Sequence, residues 1–256
     1  MRNPESGAEL REIAAKEKLP LSIAALDVDD DASVAKTIGQ VLAEKGSIDV
    51  LVNNAGVSGR GSVEEVPLEG FRQVMETNFF GILRCVKAVV PGMRKRRSGC
   101  IINIASVAGR MAMAPHAPYA ASKFAVEALS ECLAQEVKAF NIRVAIIEPG
   151  VIATPIFSKG GPMPVGSPYP HLRRLMAMFA ASLKKKPVSP YVVGEQIREI
   201  VEGDSWQLRY PVGPDAAPFL KWRADMSDEQ WVAFGGLSDA DWAARVKRDF
   251  GLDVTL

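Results

Sequence analysis

The sequence predicts an α/β protein built on a mostly parallel sheet, and three observations carry that prediction. Apolar runs of four to eight residues alternate with amphipathic helical stretches, the rhythm of βαβ units. The runs are nearly continuously apolar, as strands covered on both faces require. Loops bearing glycine, proline and small polar residues, "NNAGVSGRG" and "EPG", lie at their carboxyl ends, where open α/β sheets bind ligands.

Taken in order, Asn3-Pro4 reads as a turn into a helix ending near Lys18, with Leu10, Ile13 and Ala14 on one side. "LSIAAL" (21–26) reads as a strand ending at Asp27. Val34, Ile38, Val41 and Leu42 at helical spacing predict a helix from Asp31 to about Lys45, stopped by Gly46. "IDVLVNN" (48–54) is a short strand entering the glycine-bearing loop. Helical pattern runs from Pro67 to about Met93, and "CIINIAS" (100–106) is a buried strand. "YAASKFAVEALSECLAQEVKAF" (119–140) is a long amphipathic helix, and "IRVAIIEPG" (142–150) a strand closed by Pro-Gly. The stretch 151–170 is rich in Pro and Gly, and loops of that length are usually functional or disordered. "HLRRLMAMFAASL" is helical, and a helix from Ser189 to about Val201 and a strand near "WQLRYPV" follow. In the tail, Ser227 with Gln230 makes a capping box, and Ser238 is a second N-cap. The expected organisation is one domain, 1–256, with a substrate-loop segment at about 151–190 and a helical extension at about 211–256.

A chain of 256 residues, 48% apolar and 24% charged, has the composition of a soluble globular protein large enough for a sizeable core. A net charge of +1 gives no bulk attraction to nucleic acid or anionic membrane. No apolar run approaches the ~20 residues of a membrane span, and no signal peptide is visible. Cys85, Cys100 and Cys132 lack metal-like spacing, so buried free thiols in a reducing, cytoplasmic compartment are expected. "RKRR" (94–97) reads as cations offsetting a helix C-terminus rather than as a targeting signal.

The chemistry concentrates on one rim. Tyr119 and Lys123 are four apart on a helix and share a face. An ammonium near a phenol favours phenolate, which predicts a Tyr119 pKa below its usual ~10 and a general acid/base role. Ser106 lies at the carboxyl end of a buried strand, thirteen residues before Tyr119. Asn53, Asn54, Ala55 and Gly56 end the preceding strand, and Pro149 and Gly150 the following one.

At these residues the chain resembles the classical short-chain dehydrogenases/reductases (SDR). The resemblance runs from about Met1 to Thr154 through "LDV", "NNAG", "TN", Ser106 in "IASVAG", "YAASK", and "PG" followed by Thr154. It implies a Rossmann-type doubly wound parallel sheet and hydride transfer between a nicotinamide cofactor and an alcohol or carbonyl. On that resemblance Tyr119 is the proton donor or acceptor. Lys123 lowers its pKa and holds the nicotinamide ribose, and Ser106 hydrogen-bonds the substrate oxygen. Asn78 is similar to the family's fourth catalytic residue, which holds a water connecting the Lys to solvent. Asp27 and Val28 contact adenine, and Asn53, Ala55 and Gly56 line the adenosine side. Pro149, Gly150 and Thr154 flank the nicotinamide. Arg2 stands where the family often places an Arg against the 2′-phosphate, favouring NADP(H) over NAD(H).

The family's phosphate loop, T-G-x-x-x-G-x-G after a first strand, is not found. The expectation is an N-terminally truncated fold, short of roughly 30–40 residues given the ~30-residue size of a βαβ unit. Two strands are then missing between 21–26 and 48–54, leaving edges unpaired; an in-frame glycine-rich segment upstream of Met1 is expected. The substrate wall is expected from "GRMAMAPHAP" (109–118) and from 151–183, whose methionines lean toward a hydrophobic, lipid-like alcohol or ketone. His116 lies in that wall and can reach the substrate or face solvent. Helices containing Glu76–Met93 and Tyr119–Phe140 match the family's dimer faces, implying a homodimer or homotetramer. Two readings stand: an NAD(P)-dependent oxidoreductase, or a non-catalytic binding protein or inactive remnant unable to hold cofactor normally.

Overall fold

The computed structural model describes residues 1–158, 166–185 and 187–256. Four parallel strands form its sheet in the order β1-β2-β3-β4: β1 Val50–Asn53, β2 Gly99–Ile104, β3 Ile142–Pro149 and β4 Arg209–Val212. Alternation along each strand sends side chains to both faces. Ile101, Val144 and Ile146 meet α4 (Gly81–Arg96) and α5 (Ala117–Lys138) on one side. Ile102, Ala145 and Ile147 meet α7 (Tyr191–Glu202) on the other. Ile101, Ile102, Ile146 and Ile147 are wholly buried, each contributing roughly 1.5–3 kcal/mol of apolar burial. This two-sided cover explains the continuous apolar runs.

Helix ends follow local chemistry. Asp30 caps α2 (Asp31–Lys45), and Gly46 closes it at φ 78°, where a Cβ would be strained. The capping box of Ser227 and Gln230 opens α9 (Asp228–Gly235), and Ser238 caps α10 (Asp239–Phe250). A helix that the pattern did not announce, α8 (Ala216–Ala224), precedes them. With α6 (His171–Lys185), α9 and α10 build a satellite core of Leu175, Met178, Phe234 and Trp242. Strand β4 occupies 209–212, so the helical extension begins after it.

Three expectations are corrected. Residues 21–26 form no strand: Ala24 and Leu26 exchange backbone hydrogen bonds with Met1 alone, and Leu21 is half exposed. Strand identity requires a neighbouring strand, and β1 is a sheet edge that this segment does not reach. Of the apolar face assigned to α1 (Ala8–Glu17), Ala14 is buried but Leu10 and Ile13 are exposed. Cys132 is exposed, while Cys85 and Cys100 are buried, because Cys132 falls on the outer face of α5. Part of the expected substrate-loop segment, residues 159–165 together with 186, lies outside the described residues.

Candidate active site

The site lies at the carboxyl ends of β1, β2 and β3. Ser106 follows β2 and caps the short turn Val107–Gly109, accepting from Ala108 N at 3.1 Å. Its hydroxyl also reaches the Pro149 carbonyl at 3.5 Å. Helix α5 starts at Ala117 with Pro118 in its first turn, which delivers Tyr119 and Lys123 on one face toward Ser106. Lys123 Nζ lies 5.5 Å from the Tyr119 ring centroid and donates to the Ile104 carbonyl at 2.7 Å. That carbonyl ends β2, so strand, helix and site are tied at one point.

Asn78 sits in a π-helical turn, Glu76–Phe80, between α3 (Leu68–Met75) and α4. Such turns often mark functional positions. Its side chain is fully buried: Oδ1 accepts from Val57 N at 2.8 Å, and Nδ2 donates to Val57 O at 3.0 Å and Ser122 Oγ at 2.9 Å. Both amide protons are thereby used, leaving one lone pair on Oδ1 for any water. Ser122, which the sequence reading passed over, thus joins Asn78 to α5.

Burial controls the electrostatics. It raises the Tyr119 phenol above its ordinary value, partly offset by a hydrogen bond from Ser106. The lowered phenol expected from the Tyr–Lys spacing is therefore outweighed in this environment. Lys123 is brought down to about 8 by burial, with Glu127 pulling the other way. His116 stacks on Tyr119 with ring centroids 4.7 Å apart, and burial with nearby Arg60 holds it near 4, a neutral imidazole at physiological pH. Its Nε2 is buried with no hydrogen-bond partner among the described residues, contrary to the solvent-facing alternative.

A cavity of about 490 Å³ opens beside these groups, lined by Ser106, Tyr119, Lys123, Met111, Met178 and Phe179 among others. Of the predicted cofactor residues, Gly56, Pro149, Gly150 and Thr154 line it, as does Asn54. Asn53 points inward instead, donating to Asn103 at 2.8 Å, and Ala55 faces solvent. Asn103 passes this buried chain to Ser130 at 2.8 Å. Asp27 and Val28 lie apart from the cavity: Asp27 accepts from Asp29 N, and Val28 packs on Gly81. Arg2 is exposed, 4.0 Å from Asp29. Asp215 is a further residue that spacing could not reveal; it accepts from Val151 N at 2.9 Å and holds the loop after β3.

Comparison with known proteins identifies the family. The family model of the short chain dehydrogenases matches residues 1–163. An uncharacterized oxidoreductase of Bacillus subtilis is 34% identical over 90% of this chain and 85% of its own length. Human retinol dehydrogenase 8 is 45% identical, over 57% of this chain and 47% of that protein. A short-chain dehydrogenase structure from Streptomyces avermitilis superposes with a TM-score of 0.77 at 30% identity, covering 96% of this chain and 86% of its own. Parallel sheet, rim-borne Ser106–Tyr119–Lys123 and these matches together establish that the chain belongs to the short-chain dehydrogenase/reductase family of oxidoreductases.

Proposed function

We propose that this protein is an NAD(P)-dependent oxidoreductase that interconverts a secondary alcohol and a ketone, or an alcohol and an aldehyde, on a bulky hydrophobic substrate. The observation that carries the reading is convergence: Ser106, Tyr119 and Lys123 line the same cavity as Met111, Met178, Phe157 and Phe179. Apolar, flexible methionine walls suit lipid-like groups, and retinol dehydrogenase 8 is a relative over half of this chain.

The residues fit a nicotinamide cofactor. Lys123 has three donors and spends one on Ile104, leaving two directed at a space where ribose hydroxyls are natural acceptors. Gly56 lies alongside, an added Cβ falling 4.0 Å from Lys123 Nζ and 3.4 Å from Asn78 Oδ1. Pro149, Gly150 and Thr154 line the same cavity. When bound, the nicotinamide supplies or accepts the hydride. Tyr119 gives its phenolic proton to the carbonyl oxygen, or takes one from the alcohol. Ser106 donates to that same oxygen, where negative charge develops. Charged Lys123 stabilises the phenolate left on Tyr119. NADP is favoured over NAD because exposed Arg2 can fork onto a 2′-phosphate, although Asp29 competes for it.

Titration of NADPH and NADH against the chain, followed by turnover on bulky and short ketones, tests the reading. Tighter NADPH binding and preference for the bulky ketones are expected. Tyr119→Phe should keep cofactor binding and lose at least about a hundredfold in turnover. Unchanged turnover in that variant, or no cofactor binding by the wild type, would sink the proposal.

A further inference from the structure

Directly behind Lys123 lies a cluster of buried charge with no part in the steps above. Glu127, one turn further along α5, and Glu148, near the end of β3, are both buried; the Glu148 side chain is 0% exposed and that of Glu127 7%. Glu127 Oε2 accepts from Arg209 Nε at 2.9 Å, and Glu148 Oε1 pairs with Arg110 at 3.4 Å. The remaining oxygens, Glu127 Oε1 and Glu148 Oε2, are buried without any partner among the described residues. Two carboxylates cannot both ionise cheaply at close range, whereas one proton between them satisfies both orphan oxygens. Both acids reach the same turn after β2: an added Cβ on Gly109 would fall 3.0 Å from Glu127 Cγ, and the next residue, Arg110, pairs with Glu148.

We infer that Glu127 and Glu148 share one proton between their unpartnered oxygens, and that Glu127 is the positioning residue that sets the charge of Lys123. The second clause rests on the proposed oxidoreductase chemistry only for its consequence in turnover. The charged groups around the pair are few. Helix α5 presents Lys123, Glu127 and Glu131, and Glu131 pairs with Arg209 at 2.8 Å on the rim. Strand β4 presents Arg209, the turn after β2 presents Arg110, and β3 presents Glu148. Arg143, also on β3, is turned away to the carbonyls of Ile200 and Val201. Glu127, one helical turn from Lys123, is the carboxylate that favours the buried ammonium, and it titrates as half of a pair. Burial and Glu148 hold Glu127 up at about 7, against the lowering by Arg209. The turn after β2 packs closely on this stretch of α5: an added Cβ on Gly109 would fall 2.9 Å from the Lys123 carbonyl oxygen.

The test is a pH titration by carbon NMR of the full chain labelled at Glu Cδ and Lys Cε, with Lys123 assigned by its absence in Lys123→Arg. The wild type should show a glutamate titrating near 7. In Glu148→Gln, whose amide donates to Glu127, that midpoint should fall toward the ordinary carboxylate range. In Glu127→Gln the Lys123 midpoint should drop by about one pH unit or more, as loss of a charge one helical turn away predicts. Glu131→Gln should leave it in place, and Glu127→Asp should restore most of the shift. The alkaline limb of the pH–rate profile should move with the Lys123 midpoint. Two glutamates titrating independently in the ordinary range would overturn the shared proton. An unmoved Lys123 midpoint in Glu127→Gln would overturn the positioning role. Neither titration needs turnover, so an inactive wild type would count against the oxidoreductase reading alone. Should Glu127→Gln not fold, Glu148→Gln and Glu127→Asp decide the two points.

Discussion

Gly150→Ala should be among the most damaging one-carbon changes in the molecule. Gly150 ends the site-bearing loop start, and a Cβ built there would lie 2.2 Å from Asp215 Oδ1 and 2.7 Å from its Cγ. The carboxylate cannot retreat freely, because its Oδ2 accepts from Val151 N at 2.9 Å. Overpacking of this kind costs about 1–3 kcal/mol. If Asp215 swings away, Val151 N loses its acceptor, adding roughly 1–2 kcal/mol. The expected destabilisation is therefore about 2–5 kcal/mol, read by urea denaturation with unchanged m. Asp215→Ala alone should cost the hydrogen bond, but in the double variant the clash is gone. The two changes should then fall short of additivity by at least about 1 kcal/mol. A Gly150→Ala protein within about 0.5 kcal/mol of wild type, or strict additivity in the cycle, would refute the argument.

Stability should also depend on pH through the buried pair near the site. Glu127 stands near 7, above its ordinary 4.5, so its contribution is full below about 4.5 and is lost as pH rises to about 7. Lys123 stands near 8, below its ordinary 10.5, so its contribution is full above about 10.5 and is lost as pH falls to about 8. Thermal melts should thus show the margin of wild type over Glu127→Gln shrinking between pH 5 and 7.5, by on the order of 2–3 kcal/mol; a constant margin contradicts it. Asn103→Ala removes the buried link between Asn53 and Ser130 and should cost about 1–3 kcal/mol in urea denaturation, since Asn53 Nδ2 loses its acceptor while Ser130 keeps its bond to the Val126 carbonyl. Asn78→Ala should loosen the loop at Val57, seen as faster amide exchange at Val57, whose N–H would lose its acceptor.

The candidate site was legible because its residues carry local signatures. Tyr119 and Lys123 share a helix face by spacing alone, and Ser106 and Pro149 sit where strands end. The side chain of Asn53 was misplaced because the "NNAG" turn does not say which asparagine faces the sheet; its pairing with Asn103, fifty residues on, does. Glu148 carried a signal that went unread. A carboxylate inside "VAIIEPG" is costly to bury unless partnered, and its partners come from three separate elements.

By itself the sequence determined what nearest neighbours along the chain can enforce. Gly46 ends α2, Ser227 and Ser238 start α9 and α10, and periodicity sets the type of nearly every element. Tertiary structure decided whatever depends on a partner distant in sequence. The run 21–26 has strand composition yet is no strand, since backbone pairing needs a second strand at its side. The shifts at Tyr119, Lys123, His116 and Glu127 arise in the same way, from what surrounds each group rather than from what precedes it. Caps and amphipathic faces are local energies, whereas burial and pairing exist only once the chain has closed on itself.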